Sequence, residues 1–477
     1  GRDGFAPHSI PDGIYILGPD KLSPVFGVYE ILERYFDVRW FMPTSDDVPA
    51  DVAEHVPARE TLQMGQVDMV IKPDFRVRWV GNGAWPLAHR MNAYVKADGE
   101  NVGINWKWHF HTFRTLIPPD KYYEEHPEWF ALVDGERKIT DSKSHGNQLC
   151  TSNPELIEEL TKNLIAVLDE DPSIEIIALS PNDGGGFCEC ENCVAQDEPD
   201  RDWFARYSRR LAIFNNEVAR RVRVKHPDTL IKVGAYAMYA RRPLDEDFRP
   251  EPNLLYQLCH IYFCHNHPVG TDECVEGETY EPSHNFQPNQ EFEKVMDEWL
   301  ALSPHLFMYE YYTLGGISKA DLPWPLVHTI THDIPYYRDK GIEGFYTQLS
   351  GNLFHRYGLN YYMAAKLCWD PDLDPDELLE DYFDKFYGIA SGPMRRYFDT
   401  LEEAMTDWNG CSSYGLRGTA HAAMALEVYT PEVMQQLGAA LAEAEGTSNT
   451  DRVAGQRVML ARRMYQELEA SLEELGQ

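Results

Sequence analysis

Two carboxylates and a group of cysteines are the residues of this chain whose types and spacing invite chemistry. The segment Ile176 to Cys193, IIALSPNDGGGFCECENC, runs from an apolar stretch straight into Asn182, Asp183 and three glycines. Ile176, Ile177, Ala178 and Leu179 read as a parallel strand buried on both faces, and Gly184, Gly185 and Gly186 allow a tight turn after it. Asp183 is thereby placed at the carboxyl end of a strand, where barrel enzymes carry their catalytic groups. An Asn-Asp-Gly turn whose side chains bond only local backbone is the alternative. Glu310 stands in the same relation to a second apolar run, and its YEYY surroundings hold no adjacent cation. Two carboxyl groups, one protonating a leaving oxygen and one stabilising or attacking an anomeric carbon, are the usual equipment of glycoside hydrolysis.

Cys188, Cys190 and Cys193 offer three thiolates within six residues, and Cys150 can supply a fourth. Such a set suits a tetrahedral zinc ion, which with four thiolates has no open position and is structural. A disulfide, or reduced buried thiols, are the alternatives. Nine cysteines in 477 residues do not make a disulfide scaffold. The run HNH at His265 to His267 invites a metal reading, but no HExxH spacing supports a catalytic metal, so solvated or sugar-contacting histidines are expected there. No P-loop, dinucleotide glycine pattern or nucleophile elbow occurs. No cofactor is therefore expected for catalysis.

The elements that must position these groups alternate in type from Phe75 onward. Strand-like runs are Phe75 to Val80, Val102 to Trp108, Glu175 to Ser180, Leu230 to Tyr236, Leu254 to Ile261, His305 to Tyr311 and Gly344 to Gln348. Strands alternating with helices predict an α/β fold with a parallel sheet, here a (β/α)8 TIM-type barrel. Trp203 to Lys225 is an amphipathic helix, with Phe204, Tyr207, Leu211, Phe214, Val218 and Val222 along one face. Residues 1–70 read as a small α/β domain with a strand at Gly13 to Gly18 and a helix at Val25 to Phe36, residues 71–370 as the barrel, and residues 371–477 as a helical C-terminal domain. Polar groups crowd the predicted strand ends: His109 and His111, Asn182 and Asp183, Tyr236 and Tyr239, His260 and His265, Glu310 with Tyr312, and Gln348. Of these, His111, Asn182, Tyr236, His265, Tyr312 and Gln348, with Trp324, are the candidate substrate contacts.

Composition limits the partners. A formal charge of -34 repels nucleic-acid phosphates, and no apolar run approaches the roughly 20 residues of a membrane span. Aromatic residues make up 12% of the chain, and Trp106, Trp108, Tyr311, Tyr312 and Trp324 fall in predicted loops. Pyranose rings stack on such faces while their hydroxyls need polar partners, so an oligosaccharide or glycoprotein glycan is the expected partner. The chain opens on polar GRDGFAPHSIPDG without an apolar signal segment; a periplasmic or extracellular location is still the expectation.

GVYEILERYFDVRWFMP resembles the N-terminal domain that precedes the barrel in α-glucuronidases and hexosaminidase-like enzymes. The succession HTF, HPEWFALVDGER, QLCTSNPE, LSPNDGGGFCECENC and WDP resembles the bacterial domain of unknown function 4838, from which glycoside hydrolase family 163 was founded. The resemblance covers most of residues 10–390, and SPND followed by CxCxxC is its most specific motif. It implies a retaining endo-β-N-acetylglucosaminidase acting on complex N-glycans, and a small N-terminal domain that is truncated here. By similarity to enzymes whose substrate acetamide attacks, Asp183 is implied as general acid/base and Asn182 as the residue orienting the acetamide. Glu310 is then a partner carboxylate, or a nucleophile if the substrate lacks an N-acetyl group. An α-glucuronidase-like exo enzyme, with Arg78, Arg114 or Arg356 clamping a sugar carboxylate, and a non-catalytic carbohydrate-binding protein are the competing readings.

Overall fold

Seven short parallel strands carry the polar residues singled out above: β1 (Val77–Trp79), β2 (Trp106–Lys107), β3 (Ile176–Ala178), β4 (Leu230–Ala235), β5 (Leu254–Cys259), β6 (Leu306–Glu310) and β7 (Gly344–Thr347). The computed structural model describes residues 2–476 apart from 82, 98–99, 140–146, 273, 275–286, 314–321, 349–352, 409 and 415–418. Each strand falls inside an apolar run of the sequence, and β3 to β6 are buried along their whole length. That is the reason their patterns do not alternate.

The sheet order is β1-β7-β6-β5-β4-β3-β2. First and last strands are neighbours, with Gly344 opposite Val77, which is the order of a singly wound barrel. Among the described residues β1 and β2 are not paired and no eighth parallel strand occurs. The expected closed (β/α)8 barrel is therefore corrected to a seven-stranded parallel sheet with an open seam. At that seam Asn92 takes the place of a neighbouring strand: its Oδ1 accepts from the Arg78 N–H at 2.8 Å, and the Arg78 carbonyl accepts from the N–H groups of Asn92 and Ala93 at 3.1 and 3.2 Å.

The chain divides into two compact units. One comprises Ile104–His260 and Glu293–Tyr309. Its strands β2 to β5 are backed by helices Pro154–Glu170 and Ser208–Lys225. The first is capped by Asn153, whose side chain accepts from the N–H groups of Glu155 and Leu156. The second begins five residues later than its apolar face predicts, because Trp203–Ala205 forms a separate 3-10 turn.

The other unit comprises Gly1–Gly103, Ile261–Phe292 and Glu310–Gln477. A hairpin of Ala6–Ile10 and Gly13–Leu17 leads into helix Leu22–Phe36. Its first strand escapes sequence inspection because Pro7, His8 and Ser9 break any apolar pattern. After Asp370 the described elements are helical, the longest being Ser391–Trp408, Pro431–Ser448 and Arg452–Leu475. Beneath β1, the fully buried Arg78 donates to Asp3 Oδ2 at 2.9 Å. Removing one partner of a buried pair leaves an uncompensated charge, so Asp3→Ala is expected to destabilise this unit by about 3–5 kcal/mol, read by denaturant unfolding; an unchanged midpoint would refute it.

Candidate active site

In the unit containing β2 to β5, the chain leaves β3 through Ser180, whose N–H donates to Thr112 Oγ1 at 3.0 Å and whose carbonyl accepts from the Thr112 N–H at 3.0 Å. Pro181 and Asn182 follow. Asn182 is buried, and its carboxamide is held on both sides: Oδ1 accepts from the Arg114 N–H at 3.0 Å and Nδ2 donates to the Asn147 carbonyl at 3.0 Å. Gln148 clamps its backbone, accepting from the Asn182 N–H at 3.1 Å and donating to the Asn182 carbonyl at 2.6 Å. The structure thus gives Asn182 the work of fixing the loop.

Asp183 comes next and is open, with its side chain 32% exposed. Its Oδ1 accepts from the Gly184 N–H at 3.0 Å. Gly184 sits at φ 85°, a left-handed conformation that favours glycine. The Tyr236 hydroxyl donates to the same oxygen at 3.4 Å, and His111 Nε2 lies 3.9 Å from it. His111 Nδ1 is 2.8 Å from the Pro181 carbonyl. A carbonyl only accepts, so the proton of the neutral ring is on Nδ1 and Nε2 is bare. His111 and Asp183 can then share a bond only when one of them takes up a further proton. Asp183, His111 and Tyr236 are the predicted residues that the structure brings together in this unit.

Sequence inspection missed Lys232, although a lone lysine in the apolar strand LIKVGA was a usable signal. Its ammonium is fully buried, donates to the His109 carbonyl and to Gln257 Oε1 at 2.9 Å, and lies 4.0 Å from the Phe110 ring centroid. Burial pushes it down to about 7. Burial, and then the Lys232 charge, hold His109 well below the ordinary histidine range.

In the other unit Glu310 ends β6 with no exposed side-chain surface. Its Oε1 accepts from the Tyr337 hydroxyl, and His265 Nε2 lies 3.7 Å from its Oε2. Burial, and then the Glu310 charge, keep Tyr337 well above the usual phenol range, hence protonated and donating. Tyr337 comes from helix Val327–Lys340 and carries no sequence signal. Gln348 donates its N–H to the Glu310 carbonyl at 2.7 Å, and its Nε2 is 3.4 Å from the Tyr414 hydroxyl.

Several expectations change here. Tyr312 and Trp324 are 2% and 1% exposed: Tyr312 packs 5.9 Å from Phe345 and Trp324 packs 5.4 Å from His265, centroid to centroid. Neither offers an open face to a sugar ring. Trp106 lies in β2 and is buried, not in a loop. His265 and His267 are buried, not solvated. Residues 275–286 and 314–321, in the long segments that follow β5 and β6, lie outside the described residues.

Two of the three arginines considered as sugar-carboxylate clamps are committed elsewhere, Arg78 to Asp3 and Arg356 to Glu467. Burial opposes the Glu467 charge, but hydrogen bonds from Arg356, His355 and Arg463 outweigh it and lower the carboxyl to about 2. A depressed carboxyl stabilises the fold above its unfolded value of 4.5 and loses that contribution as pH falls towards about 2. Acid unfolding is therefore expected to shift to higher pH on Arg356→Met, and an unmoved acid limb would count against this anchor.

Outside both groups, the sulfurs of Cys150, Cys188, Cys190 and Cys193 converge within 4.8 Å of one another. Cys150 Sγ lies 3.6 Å from Cys190 Sγ and 3.9 Å from Cys193 Sγ. The Leu132 N–H donates to Cys188 Sγ at 3.3 Å, and Arg210 Nη1 donates to the Cys188 carbonyl at 2.7 Å. The loop following Asp183 is thereby fastened to strand Leu132–Val133 and to helix Ser208–Lys225.

The family model described as "Domain of unknown function (DUF4838)" matches residues 48–399. No curated protein sequence matches the chain. Solved structures similar to it include a GH138 enzyme targeting pectin rhamnogalacturonan II, at 10% identity and a TM-score of 0.36, the match covering all of this chain and 64% of that one. A family 89 glycoside hydrolase from Clostridium perfringens, solved with its substrate GlcNAc-α-1,4-galactose, aligns at 10% identity and a TM-score of 0.49 over 98% of this chain and 60% of its own. This chain thus spans about three fifths of the length of those two. Scores below 0.5 say nothing about reaction or substrate. Among the described residues no helix is long and apolar enough to cross a membrane.

Proposed function

Because the chain belongs to the DUF4838 family and presents an open carboxylate at a strand end, we propose that it is a glycoside hydrolase with Asp183 as its general acid/base. The observation that carries this reading is the setting of Asp183: an exposed carboxylate fixed by the Gly184 N–H, with the Tyr236 hydroxyl and His111 Nε2 beside it. A retaining enzyme with its own nucleophile needs a second carboxylate that touches the sugar. Glu310 is fully enclosed, which favours the alternative in which the substrate's acetamide oxygen attacks the anomeric carbon.

In that scheme Asp183 gives its proton to the leaving glycosidic oxygen as the C1–O bond breaks and the acetamide oxygen bonds C1, leaving an oxazolinium ion that keeps its N–H. The Asp183 carboxylate then takes a proton from the water that attacks C1, the ring C–O bond opens to regenerate the acetamide, and the acid is restored. Tyr236 steadies the carboxylate in both states. Asn182 positions Asp183 by fixing the loop before it, while Glu310 in the other unit holds Tyr337 and His265. The finer reading is a retaining endo-β-N-acetylglucosaminidase acting on complex N-glycans, as in glycoside hydrolase family 163, with a periplasmic or extracellular location to match that substrate. We further propose a structural zinc ion among Cys150, Cys188, Cys190 and Cys193: the Cys150–Cys190 and Cys150–Cys193 sulfur separations of 3.6 and 3.9 Å bracket the edge of about 3.8 Å of a zinc-thiolate tetrahedron.

The test is mass spectrometry of products from a complex N-glycoprotein and from paired aryl glycosides bearing either a 2-acetamido or a 2-hydroxyl group. Cleavage confined to the 2-acetamido members is expected. Equal cleavage of both would restore an enzyme nucleophile, and glycan binding without any product would favour the binding-protein alternative.

A further inference from the structure

A second cluster of metal-ligand type lies in the unit that holds Glu310, far in sequence from the CxCxxC motif. Cys264, His267, Cys274 and Cys411 each point one ligand atom at a common centre, all four atoms lying within 4.8 Å of one another. Cys264 Sγ and Cys411 Sγ are 3.3 and 3.7 Å from His267 Nδ1, and Cys274 Sγ is 3.3 Å from Cys411 Sγ. A zinc ion with Zn–S of about 2.3 Å and Zn–N of about 2.0 Å has tetrahedral edges of about 3.5 to 3.8 Å. These separations are of that size. They are far longer than the roughly 2.05 Å of a disulfide, and none of these three cysteines is disulfide-bonded. All four residues are buried, at 4% exposure or less.

The backbone around the cluster is fastened as a ligand cage requires. Asn289 Nδ2 donates to the His267 carbonyl at 2.6 Å. Asn266 Nδ2 donates to the carbonyls of Met405 and Gly410 at 3.1 and 3.0 Å, and the His265 N–H donates to the Ser412 carbonyl at 2.7 Å. The loop bearing three ligands is thus tied just before His267 to the segment that supplies the fourth, and at His267 itself to Asn289. Only Cys259 and Cys368 stand outside the two clusters.

We infer that Cys264, His267, Cys274 and Cys411 form a structural Cys3His zinc site, separate from the four-cysteine cluster. Four protein ligands leave no open position, so the ion takes no direct part in chemistry. It clips the loop after β5 to the segment following helix Ser391–Trp408, and so fixes His265 beside Glu310. The site stands whether or not the protein is a glycosidase.

The experiment is zinc analysis of the full chain purified without chelator, with zinc-edge X-ray absorption on the same sample. Two zinc ions per chain and a mixed sulfur and nitrogen shell are expected, with Cys411→Ser and Cys264→Ser each lowering the content by one. Cys150→Ser should remove the other ion and leave the nitrogen-containing shell. A pure sulfur shell with one zinc per chain overturns the inference, as do a zinc-free protein, a Cys274–Cys411 disulfide in the intact mass, or full zinc content in Cys411→Ser. The absorption measurement needs only the native chain, so the inference stays testable if the variants do not fold.

Discussion

Asp183→Asn is expected to lower turnover of an unactivated N-acetylglucosaminide by about 10²–10⁴-fold, the range that positioned proton transfer supplies. Asparagine keeps the shape and can still accept from the Gly184 N–H and from Tyr236, so the loop should hold and the melting temperature should stay put. What disappears is the proton for the leaving oxygen. An aryl glycoside with a strongly acidic phenol needs little such help, so its first step should fall far less than that of a natural linkage. The split between the two substrates identifies an acid, because a residue that merely binds sugar would slow both alike. A variant that retains full activity on the natural linkage would remove Asp183 from the mechanism.

Removal of the zinc ion proposed for the four-cysteine cluster is expected to have the largest effect on folding. Zinc bound by such sites contributes about 10–16 kcal/mol to the folding of small zinc domains, comparable with the whole 5–15 kcal/mol stability of an ordinary domain. Cys193→Ser, or stripping by a strong chelator, is expected to unfold the loop following Asp183 and to abolish activity with it, because Cys188, Cys190 and Cys193 begin five residues beyond that carboxylate. Limited proteolysis should then cut between strand Leu132–Val133 and helix Ser208–Lys225, and added zinc should protect the stripped native chain. A stripped protein that resists protease as well as the metal-loaded one would show that the sulfurs are reduced thiols packed together, as their burial alone allows.

The strands were legible because a parallel strand covered on both faces is apolar along nearly all its length, and IIA, LIKVGA and LFMYE say so locally, each polar exception being a single residue. Closure was not legible. Whether β1 and β2 meet depends on the segment between them, and Asn92, which occupies the edge of β1, looks in sequence like any loop asparagine. Asp183 and Glu310 also look alike in sequence, each a carboxylate after an apolar run. They differ in the fold because Tyr337 and His265 arrive over Glu310 from distant segments, whereas the groups around Asp183 leave a third of it open. The CxCxxC motif announces itself by spacing. Cys264, His267, Cys274 and Cys411 do not, since 137 positions separate the last two and only the fold draws them together.

The open seam of the sheet bears on how copies of this protein behave towards one another. An unpaired strand edge is a template on which another chain can add. At β1 that template is spent internally: the Arg78 N–H is taken by a side-chain oxygen and its carbonyl by two N–H groups. Asn92 is itself buried and tethered by Asp3 and the Arg76 carbonyl, so it does not swing away to admit a foreign strand. The β1 edge can thus stay without a strand partner and not become adhesive, and crowding many molecules together gives it nothing to recruit.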